Sequence, residues 1–179
     1  MKNTLKVAFC GVISALGVAM MFFSSVIPFT QYAIPMLAGV VIISAVIELG
    51  RSWGWLVYAA ISLVAFFIVP DKEAVSMFVL FFGYYPILKS YLESIKYPWL
   101  EWLLKYTIFN ISMIGIFLVG LHIIGITPSE YTIGGIYLPW LFLLAGNAVF
   151  FIYDLLISRS VVLYIAKLHP YCKKLLKMG

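Results

Sequence analysis

The chain has 179 residues, of which 64% are hydrophobic, 17% aromatic and 11% charged, with 12 Lys and Arg against 7 Asp and Glu. Soluble domains carry roughly 25% charged residues, so a mean hydropathy of +1.08 excludes an ordinary water-soluble surface, and the aromatic content excludes a disordered chain. The composition is that of an all-α integral membrane protein, and its basic residues, scattered between apolar runs, fit lipid headgroups and topology rather than nucleic acid.

Six runs reach or approach the roughly 20 apolar residues a transmembrane helix needs. They cover about 7–28, 33–49, 53–70, 74–92, 100–126 and 136–157, within one membrane domain that ends in a basic tail over 158–179. The first run follows Lys2 and Lys6 in the manner of a signal peptide. It extends to Pro28 with no small-residue cleavage site, so a retained helix is expected. Within it Thr4, Ala8, Gly11, Ala15 and Ala19 fall inside an arc of about 80° at 100° per residue. Small side chains at this spacing let another backbone approach closely, either a helix of the same chain or a separate membrane subunit.

Turn signals separate the runs: Pro28 to Gln31, Gly50 to Ser52, Pro70-Asp71, Tyr97-Pro98 and the longer Thr127 to Gly135. Short connections predict antiparallel neighbours. The fourth run stops at Lys89, which is expected to snorkel to the interface. In the same run Tyr84 and Tyr85 precede Pro86, where the missing N–H loosens the helix; they read as packing aromatics. Asn110 in the fifth run and Asn147 in the sixth fall near mid-membrane. An unpartnered amide there costs several kcal/mol, so each faces either another helix or a ligand. His122, toward the outer end of the fifth run, is either interfacial or ligand-binding. Asp154, about a turn inside the inner end of the sixth, is expected to be an interfacial residue pairing with Lys105, Arg51 or Arg159 rather than part of a proton relay. Beyond Ile157 the helix either protrudes or bends along the inner surface, where the basic tail suits anionic lipid.

An inside N-terminus places Lys2, Lys6, Arg51, Lys89, Lys96, Lys105, Arg159, Lys167, Lys173, Lys174 and Lys177 on the inner side and only Lys72 outside. This bias predicts cytoplasmic N- and C-termini. Trp53, Trp55, Trp99 and Trp102 mark the inner interface and Trp140 the outer one. Gln31, Tyr32, Asp71, Glu73, Glu130 and Tyr131 then sit in outer loops. Gln31 and Tyr32, joined by Asn110, His122, Tyr137, Trp140 and Asn147, form the candidate substrate-binding set, a mixture of aromatics with a few polar groups of the kind small-molecule pockets use.

No catalytic motif or phosphate-binding loop is present, and Cys10 and Cys172 have no metal-ligand spacing, so no enzyme, metal or cofactor is expected. Six spans in a chain of this length, both ends inside, with Ala15-Leu16-Gly17-Val18-Ala19 in the first helix, resemble the S components of energy-coupling factor (ECF) vitamin transporters. The resemblance implies a subunit of the bacterial plasma membrane that captures a vitamin-like molecule at the outer face. It would hand that molecule to a transmembrane coupling subunit driven by two ATPases. It also implies that the AxxxA element, here Ala15 and Ala19 extended inward by Gly11, contacts the coupling subunit. The competing expectation is a non-transporting scaffold of a bacterial envelope assembly, in which the mid-membrane asparagines only join helices. A stand-alone channel is disfavoured, because no continuous polar stripe crosses the bilayer.

Overall fold

A computed structural model describes residues 3–27, 30–125, 127, 132–133 and 136–177. The chain forms helices α1 (Asn3–Phe23), α2 (Ala33–Leu49), α3 (Arg51–Ile68), α4 (Lys72–Leu92), α5 (Pro98–Ile124), α6 (Pro139–Leu163) and α7 (His169–Lys177). Thr132–Ile133 and Ile136–Tyr137 pair as a minimal antiparallel ribbon between α5 and α6. Among the described residues five helices are long and apolar enough to cross a membrane: α1, α3, α4, α5, and α6 counted with its continuation to Cys172. The apolar α2, at 17 residues, is shorter. The protein is a multi-pass membrane protein. The first helix ends at Phe23, earlier than the run to Pro28 suggests, because Ser24, Ser25 and Val26 close successive tight turns.

Local chemistry sets the helix limits. Gly50, at φ +98°, turns α2 directly into α3, and Gly125, at φ +83°, ends α5; both conformations suit a residue without Cβ. Pro98 and Pro139 open α5 and α6, where the missing N–H costs nothing. Asp71 caps α4 by accepting from the Ala74 N–H at 3.0 Å. The Lys72 ammonium donates back to the Phe66 and Val69 carbonyls at 2.7 and 2.9 Å, satisfying the end of α3.

The helices run up and down, which puts the start of α1 and the exit of α6 at one end. There the Lys6 ammonium lies 5.9 Å from the Trp53 ring, Arg51 donates to the Ser90 carbonyl at 2.7 Å, and Tyr164 donates to Glu48 at 3.1 Å. We call this the basic end. At the opposite end Ser25 Oγ accepts from the Asp71 N–H at 3.1 Å, and Tyr32 donates to Glu73 at 3.0 Å. Beyond Leu163 the last helix continues through a π turn at Tyr164–Leu168 into α7.

The central element is α4, with 56% of its apolar window buried, against 17% to 22% for the other four spans. Two cores meet on it. The first joins α1, α2 and α3 to α4 through small and aliphatic residues such as Ala38, Ala45, Val57, Ile61 and Ala65. A Cβ on Gly17 would lie 2.4 Å from Ile61 Cδ1, which shows how closely α1 approaches α3. The second joins α4, α5 and α6 through Phe81, Phe82, Tyr85, Phe109, Phe150 and Tyr153. Large apolar side chains such as Phe67, Ile111, Ile123 and Leu144 face outward, as a lipid-facing surface requires.

Candidate functional site

Proline chemistry shapes the middle of α4. Pro86 has no N–H to offer the Phe82 carbonyl four residues back. The helix widens into a π turn at Phe78–Phe82, with the Gly83 N–H bonded to the Phe78 carbonyl at 2.8 Å. Side chains satisfy the displaced carbonyls: Tyr58 donates to Val79 at 2.7 Å and Tyr153 to Phe82 at 3.4 Å. Such turns are frequent at functional sites, and this one presents Phe81 and Phe82 side by side toward α5 and α6.

Those rings floor a cavity of about 560 Å³ bounded by α2, α4, α5 and α6, within the usual range for small-molecule sites. Its mouth lies at the end opposite the basic one, marked by Tyr32, Glu73, Ile124, Pro139 and Trp140. From Pro139 to Tyr153 it follows α6 for about 20 Å at 1.5 Å per residue. Met36, Met77 and Met113 contribute flexible thioether walls. At the floor Phe81 stacks on Tyr85 with centroids 4.9 Å apart, and Phe109 stacks on Phe150 at 4.7 Å.

On the basic side of this aromatic floor lies a buried ionic cluster. Asp154 Oδ1 accepts from Tyr85 at 2.6 Å and from Lys89 at 2.5 Å, while Oδ2 accepts from Lys105 at 3.3 Å. The two lysines are completed by Glu93, 2.9 Å from Lys89, and Glu101, 2.7 Å from Lys105. Lys105 also lies 4.8 Å from the Trp102 ring centroid. The residues Lys89, Lys105 and Asp154 are each 2% exposed or less. Charges so deeply removed from water persist only when paired, and the cluster ties α4, α5 and α6 together beneath the cavity. The expectation that Lys89 snorkels to the interface is corrected. It lies four residues beyond Tyr85 on the face of α4 turned to Asp154, so it points into the bundle. Of the expected partners of Asp154, Lys105 is found, and Lys89 takes the place given to Arg51 or Arg159.

The candidate binding residues are dispersed. Tyr32 and Trp140 line the cavity at its mouth. Gln31, half-buried in the turn before α2, is not part of the lining. Asn110 and Asn147 bond each other: Asn110 Nδ2 donates to Asn147 Oδ1 at 2.9 Å, and the reverse bond is 3.0 Å. Each amide also donates to its own helix, at Tyr106 and Leu143 respectively, both at 2.8 Å. All four amide N–H groups are thereby used, and the pair joins α5 to α6. His122 is exposed in the π turn Gly120–Ile124, its Nδ1 3.0 Å from the Leu118 carbonyl. Tyr137 lies in the short ribbon, and its side chain falls outside the described residues, as do Glu130 and Tyr131. Gly11, Ala15 and Ala19 are exposed along α1, and a Cβ built on Gly11 meets nothing within 4 Å. The strip is turned away from the bundle's interior; among the described residues Gly17 and Met21 are the α1 residues buried in the bundle.

Sequence reasoning missed most of the lining. The Phe and Met positions recur at helical spacing and read as ordinary core. The ionic cluster carried a legible signal, since Tyr85, Lys89 and Glu93 repeat every four residues on one face of α4. Among the described residues no group of three or more His, Cys, Asp and Glu side chains is placed to hold a metal ion. No protein-family model, curated protein or solved structure matches the chain.

Proposed function

We propose that the chain is the membrane-embedded substrate-binding subunit of an ECF-type importer. In this reading six helices cross the bacterial plasma membrane with both termini in the cytoplasm. The chain captures a vitamin-like small molecule at the outer face and hands it to a coupling subunit with two ATPases. It is not itself an enzyme.

The observation that carries this reading is the cavity of about 560 Å³, open at the end opposite the basic one and floored by aromatic rings. The positive-inside bias turns that mouth outward. Below the floor, the buried Asp154 cluster ties α4, α5 and α6 together, so in this reading a captured molecule does not leave by passing through the bundle. Release then requires the whole subunit to be reoriented by a partner, which fits a chain that has no nucleotide-binding motif. The outward face of α1 supports the same reading, because Gly11, Ala15 and Ala19 leave a smooth exposed strip on which a partner helix can lie close to the backbone.

Affinity purification from the host membrane tests it. The wild-type chain is expected to retain a small molecule and to bring down a membrane subunit with two ATPases. Ala15→Trp is expected to lose those proteins and keep the small molecule. Loss of the small molecule with retention of the proteins would contradict the assignment of the two surfaces.

A further inference from the structure

Resting on the capture reading above, we propose that the cavity also opens sideways to the outer leaflet, through a slot between the outer halves of α5 and α6. Its ligand is then an amphiphile with a long hydrocarbon chain, taken from the bilayer rather than from water.

The lining of α5 carries this. A cavity closed inside a bundle touches the inward face of each surrounding helix. Here the lining includes the core residues Phe109 and Ile116, 4% and 7% exposed, but also Ile114 and Leu118, 46% and 49% exposed. At 100° per residue Leu118 stands opposite Phe109 across the helix, and Ile114 lies about 140° round from it. Asn110, bonded to Asn147 of α6 at 2.9 Å, lies about 100° round in the same sense. The cavity therefore reaches the outer face of α5 by passing over the side turned to α6. On α6 the slot is bordered by Leu143 and the exposed Trp140. The Asn110–Asn147 pair is not in the lining, and it forms the sill of the slot one turn below Ile114 and Leu143.

Depth then selects the ligand. Asn110 sits near the middle of α5, which runs from Pro98 to Ile124. Ile114 and Leu118 follow about 6 and 12 Å further toward the mouth at 1.5 Å per residue. The hydrocarbon of one leaflet is about 15 Å deep, so the slot faces acyl chains rather than headgroups. A polar molecule held there would turn one side to hydrocarbon, where groups without partners cost several kcal/mol. A hydrocarbon chain suffers no such cost. It gains close contact with the rings of Phe81, Phe109 and Phe150 and with the adaptable thioether of Met113. Its polar head stays at the mouth, at the level of Trp140, whose indole suits the membrane interface.

The test uses hexadecanol carrying a diazirine near the end of its chain, added to the full chain in lipid nanodiscs. After irradiation, adducts are mapped by peptide mass spectrometry, and native mass spectrometry of the same preparation records any molecule the chain retains. Adducts are expected within 109–113 and 146–150, and excess unlabelled hexadecanol should compete them away. They should fall about tenfold when Met113→Trp fills the cavity or when Ile114→Trp, at an exposed position, blocks the slot. Adducts at the outward-facing Phe67 should be unchanged in both variants. Interior adducts that survive Ile114→Trp would overturn the slot. Adducts confined to outward positions such as Phe67 and Ile111 would overturn both the slot and the ligand class. In that case a retained polar molecule, lost with Met113→Trp, would leave the capture reading standing, and a chain that retains nothing would overturn that reading as well.

Discussion

The two halves of the bundle are built on opposite packing rules. In α1, α2 and α3, small residues bring backbones together, and the buried polar groups among the described residues are small hydroxyls: Ser24, just past α1, and Ser44 each donate to a carbonyl of their own segment at 2.8 and 2.7 Å, and the Ser62 hydroxyl is buried in α3. In α4, α5 and α6, large rings hold the helices apart around a cavity, and Lys89, Lys105 and Asp154 are buried among them. Close packing of small residues leaves no room for a ligand but yields a rigid body with a smooth outer face. Aromatic packing leaves space, and the ionic cluster then holds three helices in register where ring contacts alone would slip. One half is suited to docking and the other to holding a molecule, and α4 is the wall they share.

Substitutions can break this division, and the largest effect is expected at Asp154. Asp154→Ala leaves two buried lysines without their shared acceptor and should lower stability by about 3–5 kcal/mol. Thermal melting in detergent reads this, and Glu101→Gln, at the cluster's more exposed edge, should cost much less. A smaller loss is expected where the halves join. A Cβ on Gly39 would lie 2.2 Å from the Phe82 carbonyl oxygen. Backbone cannot yield as a side chain does, so Gly39→Ala should cost about 1–3 kcal/mol. Gly17→Ala should cost less, since it presses on the tip of Ile61. If the two alanine variants melt alike, the wall between the halves is softer than described.

The asparagine pair comes next. Asn110→Leu strands the Asn147 amide, and Asn147→Leu strands that of Asn110. The double variant removes both, so it should be no less stable than either single change. The coupling in a double-mutant cycle should be about 0.6 kcal/mol. The smallest effect on stability belongs to the docking half: Ala15→Trp on the exposed strip should shift stability by no more than about 0.5 kcal/mol. A large loss there would mean the strip is part of the bundle's own packing.

Much of this division was legible in the sequence, though unevenly. Apolar run length gave the helices, because lipid requires each segment to satisfy its own backbone. Gly50 marked a turn, and it takes positive φ there, whereas Gly125, which ends α5 at positive φ, lay inside the fifth run of about 100–126. The four-residue spacing of Gly11, Ala15 and Ala19 located the outward strip, but spacing alone does not say whether a face meets its own chain. Asp154 announced an ion pair, yet both it and Lys89 read as interfacial, because nearness to the helix ends hid that they face the interior, where each is 2% exposed. The cavity was least legible. Phe81, Phe109 and Phe150 have the same periodicity in a filled core as around a void, and only the placement of the helices in space distinguishes the two cases. The same ambiguity placed Asn110 and Asn147 among ligand-facing candidates when each amide spends its donors on the other and on its own helix.

The most direct test of the central claim is native mass spectrometry of the chain released from lipid nanodiscs prepared from its host membrane. The expected result is a mass excess of one small molecule per chain, lost when Met113→Trp fills the cavity and kept when Ala15→Trp blocks the outer strip. A bare chain, or one carrying only large envelope proteins, would contradict the division into a holding half and a docking half.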